Sequence, residues 1–155
     1  MTEASQAETS RPAPIERLRL AVAGKVPAAG ITKTIGMQAT AAEPGRVVME
    51  MDVGPQHHNP MGTLHGGVLC DLADAAMGMC YVSTLAAGET FTTLELKINF
   101  LKPVFQGHLR AEGVMLRPGK TVGLVECKVT DDKGSLVAHA TSTCMTLRGE
   151  AAKGR

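Results

Sequence analysis

Leu64-His65-Gly66-Gly67-Val68-Leu69-Cys70-Asp71-Leu72-Ala73-Asp74-Ala75-Ala76-Met77-Gly78-Met79-Cys80-Tyr81-Val82-Ser83-Thr84-Leu85-Ala86-Ala87 is the one long apolar stretch of this 155-residue chain, and it reads as a helix. Val68, Leu69, Leu72, Ala75, Ala76, Met79, Cys80 and Val82 cover most of its circumference, so the helix is expected to be buried nearly all round. Two glycines at its mouth leave backbone N–H groups bare and approachable, which suits a place where negative charge develops. Two turns further in stands Asp74, a carboxylate that is costly to bury without a reason. Bare donors beside a misplaced carboxylate point to a catalytic site.

Strand patterns flank the helix on both sides. Val47, Met49, Met51 and Val53 alternate with Val48, Glu50 and Asp52, and Glu43-Pro44-Gly45 reads as a hairpin turn from an earlier strand near 31–41. Leu94, Leu96, Ile98 and Phe100 alternate with Thr93, Glu95, Lys97 and Asn99, giving one buried and one polar face. Three further strands fall near 107–117, 121–131 and 135–147, joined by Pro118-Gly119 and Asp132-Lys133-Gly134, which is turn chemistry for antiparallel hairpins. The last offers a face of Leu136, Ala138, Ala140, Ser142 and Cys144, mostly small enough for close packing. One helix of roughly 30 Å with five or six antiparallel strands is best satisfied by wrapping the sheet around it. The fold class is α+β, a helix rolled in a sheet.

The whole chain narrows the function. Residues 1–14 read as a disordered leader, 15–148 as a single domain opened by a short helix at 15–23, and 149–155 as a frayed tail. A formal net charge of +1 from 16 basic and 15 acidic residues, with only four aromatics, argues against nucleic acid as a partner. No apolar run is long enough for a membrane span, and no secretory signal is visible. Cys70, Cys80, Cys127 and Cys144 form no C-x-x-C pair and read as small buried hydrophobes in a reducing, cytoplasmic setting.

The segment His58-Asn59-Pro60-Met61-Gly62-Thr63-Leu64-His65-Gly66-Gly67-Val68, followed by Leu72-Ala73-Asp74, resembles the hotdog-fold acyl-CoA thioesterases, in particular their phenylacetyl-CoA thioesterase-like branch. Leu94–Pro103 resembles the next strand of that branch, and the resemblance covers about residues 30–147. It implies a hotdog fold, hydrolysis of an aromatic or medium-chain acyl-CoA to free acid and CoA, no cofactor, and self-association as a homodimer or a dimer of dimers. It also implies that Asp74 is the catalytic carboxylate, acting as nucleophile or as base on water. A small hydroxyl residue brought by the partner subunit is implied too, with Thr93 a better match than Thr92.

Each candidate has a plainer alternative. Asp74 could sit on an exposed helix stripe or in a buried ion pair, and Asp71 reads as a capping or solvated charge. Gly66 would polarise the thioester carbonyl and Gly67 would let the substrate approach, or both serve only tight helix–sheet packing. His65 bonds a carbonyl or orders its loop; Asn59 positions water or thioester, or forms an Asx-turn. Met61, Met77 and Tyr81 are candidates for the acyl pocket. Lys102, and Lys120 in the hairpin Arg117-Pro118-Gly119-Lys120, could meet CoA phosphates or simply be solvated. His57, His58 and His65 lack metal-site spacing, and Ser83 lacks a nucleophile elbow. A hotdog hydratase or dehydratase and a non-catalytic acyl-CoA sensor remain as other readings.

Overall fold

The computed structural model describes residues 13–153. Of the leader expected over 1–14, residues 1–12 lie outside the described residues. Pro14 belongs instead to the first turn of helix α1 (Pro14–Val22), where its missing N–H leaves nothing unsatisfied. The strand expected over 31–41 is shorter than its pattern suggests. Gly30–Ile35 form a short helix, α2, ended by Gly36 in the left-handed region at φ 80°, and strand β1 begins only at Gln38 (Gln38–Glu43). Pro44-Gly45 turns the chain into β2 (Arg46–Val53).

Helix α3 runs Gly66–Val82, shorter at both ends than 64–87. Leu64 stays outside it in an isolated antiparallel bridge to His58, with its N–H held by the Val104 carbonyl at 2.7 Å. At the other end the Ser83 hydroxyl donates back to the Cys80 carbonyl and accepts the Gly45 N–H at 2.8 Å, which stops the helix against the β1–β2 turn. Four strands follow: β3 (Thr90–Phe100), β4 (Gly107–Arg117), β5 (Val122–Asp131) and β6 (Leu136–Leu147). A 3-10 turn at Gly149–Ala152 replaces part of the tail suggested for 149–155.

All six strands pair antiparallel in the order β1-β2-β4-β5-β6-β3, and the sheet curls around α3. This is the hotdog arrangement. The inward residues are apolar and small towards the last strand: Val47, Met49 and Met51, then Leu109 and Ala111, Val125 and Val129, Ala138 and Ala140 are all buried. Leu136 departs from that face and is exposed. On β3, Leu94 and Phe100 are exposed as well, because the strand bulges at Leu94 and its end outruns the helix. The four cysteines are free thiols, three of them in the core. Among the described residues no helix is long and apolar enough to cross a membrane.

Helix and sheet approach closely at Gly113, where a β-carbon would stand 2.8 Å from the Ala76 carbonyl carbon and also meet its oxygen. Backbone cannot yield there as a flexible side chain would. Gly113→Ala is therefore expected to cost about 3 kcal/mol by overpacking, read as a melting temperature lower by roughly 10 °C.

Candidate functional site

Every backbone bond at the start of α3 is spoken for except one. Val68 N–H meets the His65 carbonyl at 3.0 Å, and Gly67 N–H is accepted by Nδ1 of His65 at 2.8 Å. Among the described residues no acceptor meets the Gly66 N–H. His65 is the N-cap, with its backbone extended at φ −66°, ψ 133°. Its capping bond requires Nδ1 to carry no proton, so the ring orders the helix start and presents Nε2 outward. A β-carbon on Gly66 would stand 3.1 Å from the Phe100 ring, so a glycine here keeps the free N–H accessible beside an exposed aromatic face.

The loop before the helix is closed on itself. Asn59 Oδ1 accepts the N–H groups of Met61 and Thr63 at 2.9 and 3.2 Å, and its Nδ2 donates to Thr63 Oγ1 at 2.9 Å. The Asx-turn geometry is therefore present at this side chain. His57 is buried, with Nδ1 accepting from Gly54 N–H and Nε2 donating to the Ile35 carbonyl, while His58 Nε2 donates to the Phe105 carbonyl. Met61 is the most exposed apolar residue of the loop, at 81%.

Asp74 lies on the open side of α3, and its Oδ1 accepts the Thr93 hydroxyl at 3.2 Å. Burial pushes its carboxyl above the ordinary aspartate range; the Thr93 hydroxyl opposes this and the neighbouring Asp71 charge adds to it. The result is a carboxylate more basic than a solvated one, held by a single donor. Asp71 is exposed and takes no part in capping the helix.

Thr93 reaches Asp74 because β3 bulges immediately after it. Thr93 pairs with Cys144 and Glu95 with Thr143, so Leu94 is the extra residue and points to solvent. The bulge is pinned at three points. Ser142, fully buried, donates to the Glu95 carbonyl at 2.8 Å, and the Thr143 N–H and hydroxyl both donate to Glu95 Oε1 at 2.9 and 2.7 Å. Behind Thr93 the buried Cys144 Sγ lies 3.8 Å from Ser142 Oγ. Sequence reasoning missed Glu95 and Ser142, which read there as a polar strand position and a small packing residue. Nothing in their local pattern marks a bulge.

Several expected site residues are placed elsewhere. Thr93 contacts Asp74 within one chain, not from a partner. Thr92 pairs with Met145 on the opposite face of the sheet from Asp74, since successive strand residues alternate. Met77 is completely buried under the sheet and offers no surface to a ligand. Tyr81 is likewise core, its hydroxyl 2.8 Å from Thr146 Oγ1 and its ring tilted on Phe91. Lys102 is paired with Asp131 at 2.5 Å. Lys120 sits in the β4–β5 hairpin beside Thr121, whose carbonyl accepts from Tyr81 near the C-terminal end of α3, the end remote from Gly66.

A family model described as the thioesterase superfamily matches residues 61–138. The chain is 30% identical over 114 residues to the 1,4-dihydroxy-2-naphthoyl-CoA hydrolase of Listeria monocytogenes, an overlap covering 74% of this chain and 93% of that one. It is 28% identical over 131 residues to acyl-coenzyme A thioesterase 13 of Homo sapiens, covering 83% and 93%. Among solved structures, a phenylacetic acid degradation-related protein of Ralstonia eutropha JMP134 matches with TM-score 0.75 and 31% identity, over 83% of this chain and 98% of that one.

Proposed function

The chain belongs to the thioesterase superfamily and is a thioester hydrolase of hotdog fold, and from that premise we propose that it hydrolyses an aromatic or medium-chain acyl-CoA with Asp74 driving the attack and the Gly66 N–H polarising the carbonyl. The observation that carries this reading is a carboxylate on the open side of α3, held by the Thr93 hydroxyl and pushed by burial above the ordinary aspartate range. Its alkyl thiolate leaving group needs no strong acid, so no triad is required. Asp74 acts as nucleophile through a mixed anhydride or as base on water. Gly66 then meets the oxygen on which charge collects, in a site where a fixed dipole acts without reorganising.

The separation of these two groups supports a site shared between subunits. Gly66 and Asp74 are eight residues apart on one straight helix, about 12 Å along its axis, whereas each must stand about 3 Å from the reacting atoms. One carbonyl does not reach both. The site is completed when Gly66 of one copy faces Asp74 and Thr93 of another. Among the described residues β3 pairs only with β6, leaving an unpaired strand edge beside exposed Phe100 and Leu101 where a second copy fits. A homodimer, alone or doubled, is thus part of the proposal, with the hydroxyl contributed alongside the carboxylate.

Purified protein tests the reading directly. Free thiol released from acyl-CoA is expected, followed with a thiol reagent, and turnover undiminished by Asp74→Ala would overturn the mechanism. Binding without turnover would favour the sensor reading. Thr93 is tested by pH dependence. Its hydroxyl favours the charged carboxylate, so Thr93→Val is expected to move the acid limb of the kcat/KM profile to higher pH. Ser142→Ala, which unpins the bulge, is expected to move the same limb in the same direction, and the double variant to add little. A uniform loss of activity with an unmoved limb would reduce Ser142 to packing.

A further inference from the structure

A cavity of about 440 Å³ lies between α1, the C-terminal half of α3 and the start of β3, and its lining holds none of the groups assigned to the reaction centre. The wall is mainly apolar: Leu18 and Ala21 from α1, Val26 after it, Met79 and Val82 from α3, and Leu85 beyond. That volume lies in the range of small-molecule sites. Among the described residues no aromatic ring lines it, so a planar ligand finds no stacking partner. Aliphatic side chains and an adaptable methionine suit a flexible hydrocarbon instead.

The charged lining residues among those described are Arg17 and Glu89, and their situations differ. Glu89 is engaged on both oxygens, one accepting the Ala86 N–H at 2.9 Å and the other the Arg148 Nε–H at 2.5 Å. These donors, the Ala86 N–H foremost, hold its carboxyl below the ordinary glutamate range, and Arg148 balances its charge. Arg17 is exposed, which places it at the rim. Its neighbours Glu16 and Arg19 pair with each other at 2.6 Å, and among the described residues no carboxylate is within ion-pair reach of Arg17. One uncompensated positive charge thus stands at the mouth of an apolar interior.

We propose that this cavity is a binding site for an alkyl monocarboxylate, its hydrocarbon against Met79, Val82 and Leu85 and its carboxylate at Arg17. A guanidinium meets a carboxylate through parallel N–H donors, and the aliphatic stem of Arg17 continues the apolar wall. Each methylene buried inside is worth about fourfold in affinity at most, and an exposed ion pair at the rim adds up to about fivefold. An alcohol of the same length gains the burial alone, and an alkylammonium meets a like charge. The acid released by the hydrolysis proposed above belongs to this ligand class. The site nevertheless stands on its own lining, and its test needs no turnover.

Calorimetric titration of the full chain with octanoate, butyrate, 1-octanol and octyltrimethylammonium tests both halves of the site. Octanoate is expected to bind more tightly than butyrate or 1-octanol, and the ammonium least of all. Arg17→Gln is expected to weaken octanoate by up to about fivefold and to leave 1-octanol unchanged. Ala21→Trp fills the cavity from α1, and Val26→Asp places a charge on its exposed wall. Each is expected to lower octanoate affinity at least about tenfold, the equivalent of losing two buried methylenes. Ala23→Trp, on the helix cap outside the lining, is the control and is expected to change nothing. Val26 is largely exposed, so Val26→Asp keeps the comparison decisive should Ala21→Trp fail to fold. Absent octanoate binding would overturn the proposal. So would octanoate affinity untouched by the cavity variants, which places the ligand elsewhere, or equal binding of octanoate and the ammonium.

Discussion

Asp74→Asn is expected to lower kcat by about a thousandfold, the usual reach of a positioned base or nucleophile, without harming the fold. The second half of that expectation follows from the carboxyl itself. Burial raises its pKa above the ordinary range, so between the unfolded and folded values the folded chain binds more protons than the unfolded one. Stability then falls as pH rises through that window. Asp74→Asn is accordingly expected to melt at or above the wild-type temperature at neutral pH, with the difference shrinking as pH falls into the acid range. Paired thermal melts and initial rates check both halves, and a variant that is inactive but also markedly less stable would count against the catalytic assignment.

Gly66→Pro is the sharper probe of the proposed oxyanion donor, and kcat is expected to fall by roughly a hundredfold to a thousandfold. Proline deletes the one N–H at issue and nothing else of the helix hydrogen bonding, because the first helical position has no intrahelical acceptor for it. The local backbone accepts the change. His65 already holds the extended conformation that a residue before proline requires, at φ −66°, ψ 133°. The added ring atoms meet Phe100, which is more than half exposed and free to turn away. A retained circular dichroism spectrum with lost turnover is the expected pair of results. Unchanged turnover would remove Gly66 from the mechanism.

Much of this architecture could be read from periodicity alone. The buried helix, the turn residues and the later strands follow from apolar spacing and glycine placement, and Asp74 stands out because it breaks an apolar pattern. What escaped the pattern depends on register. Thr92 and Thr93 are chemically equivalent neighbours, and only the pairing of Thr93 with Cys144 decides which one faces the helix. The bulge at Leu94 leaves the polar–apolar alternation of β3 intact, so neither Glu95 nor Ser142 could declare its part in holding Thr93. Met77 and Tyr81 differ from Met79 and Val82 by one or two positions, a rotation that moves a side chain from the core to the cavity wall. Asn59 was ambiguous because one side chain suits both a turn and a ligand, and its three bonds within the loop settle its geometry. The eight-residue interval between Gly66 and Asp74, by contrast, is legible in the sequence itself, and helix rise is what supports the proposal of a site shared between two chains.

The buried cysteines bear on how such an enzyme can be followed. Burial pushes the thiols of Cys80 and Cys127 up to about 12 and raises that of Cys144, so in the folded protein these sulfurs stay protonated and sealed from reagent. Cys70 is only half-buried, and burial with the nearby Asp71 and Asp74 charges keeps its thiol protonated too. A colorimetric thiol reagent added to a working reaction therefore counts released coenzyme against a nearly silent protein background. A sudden excess of titratable sulfur would announce denaturation, giving each turnover record its own internal gauge of intactness.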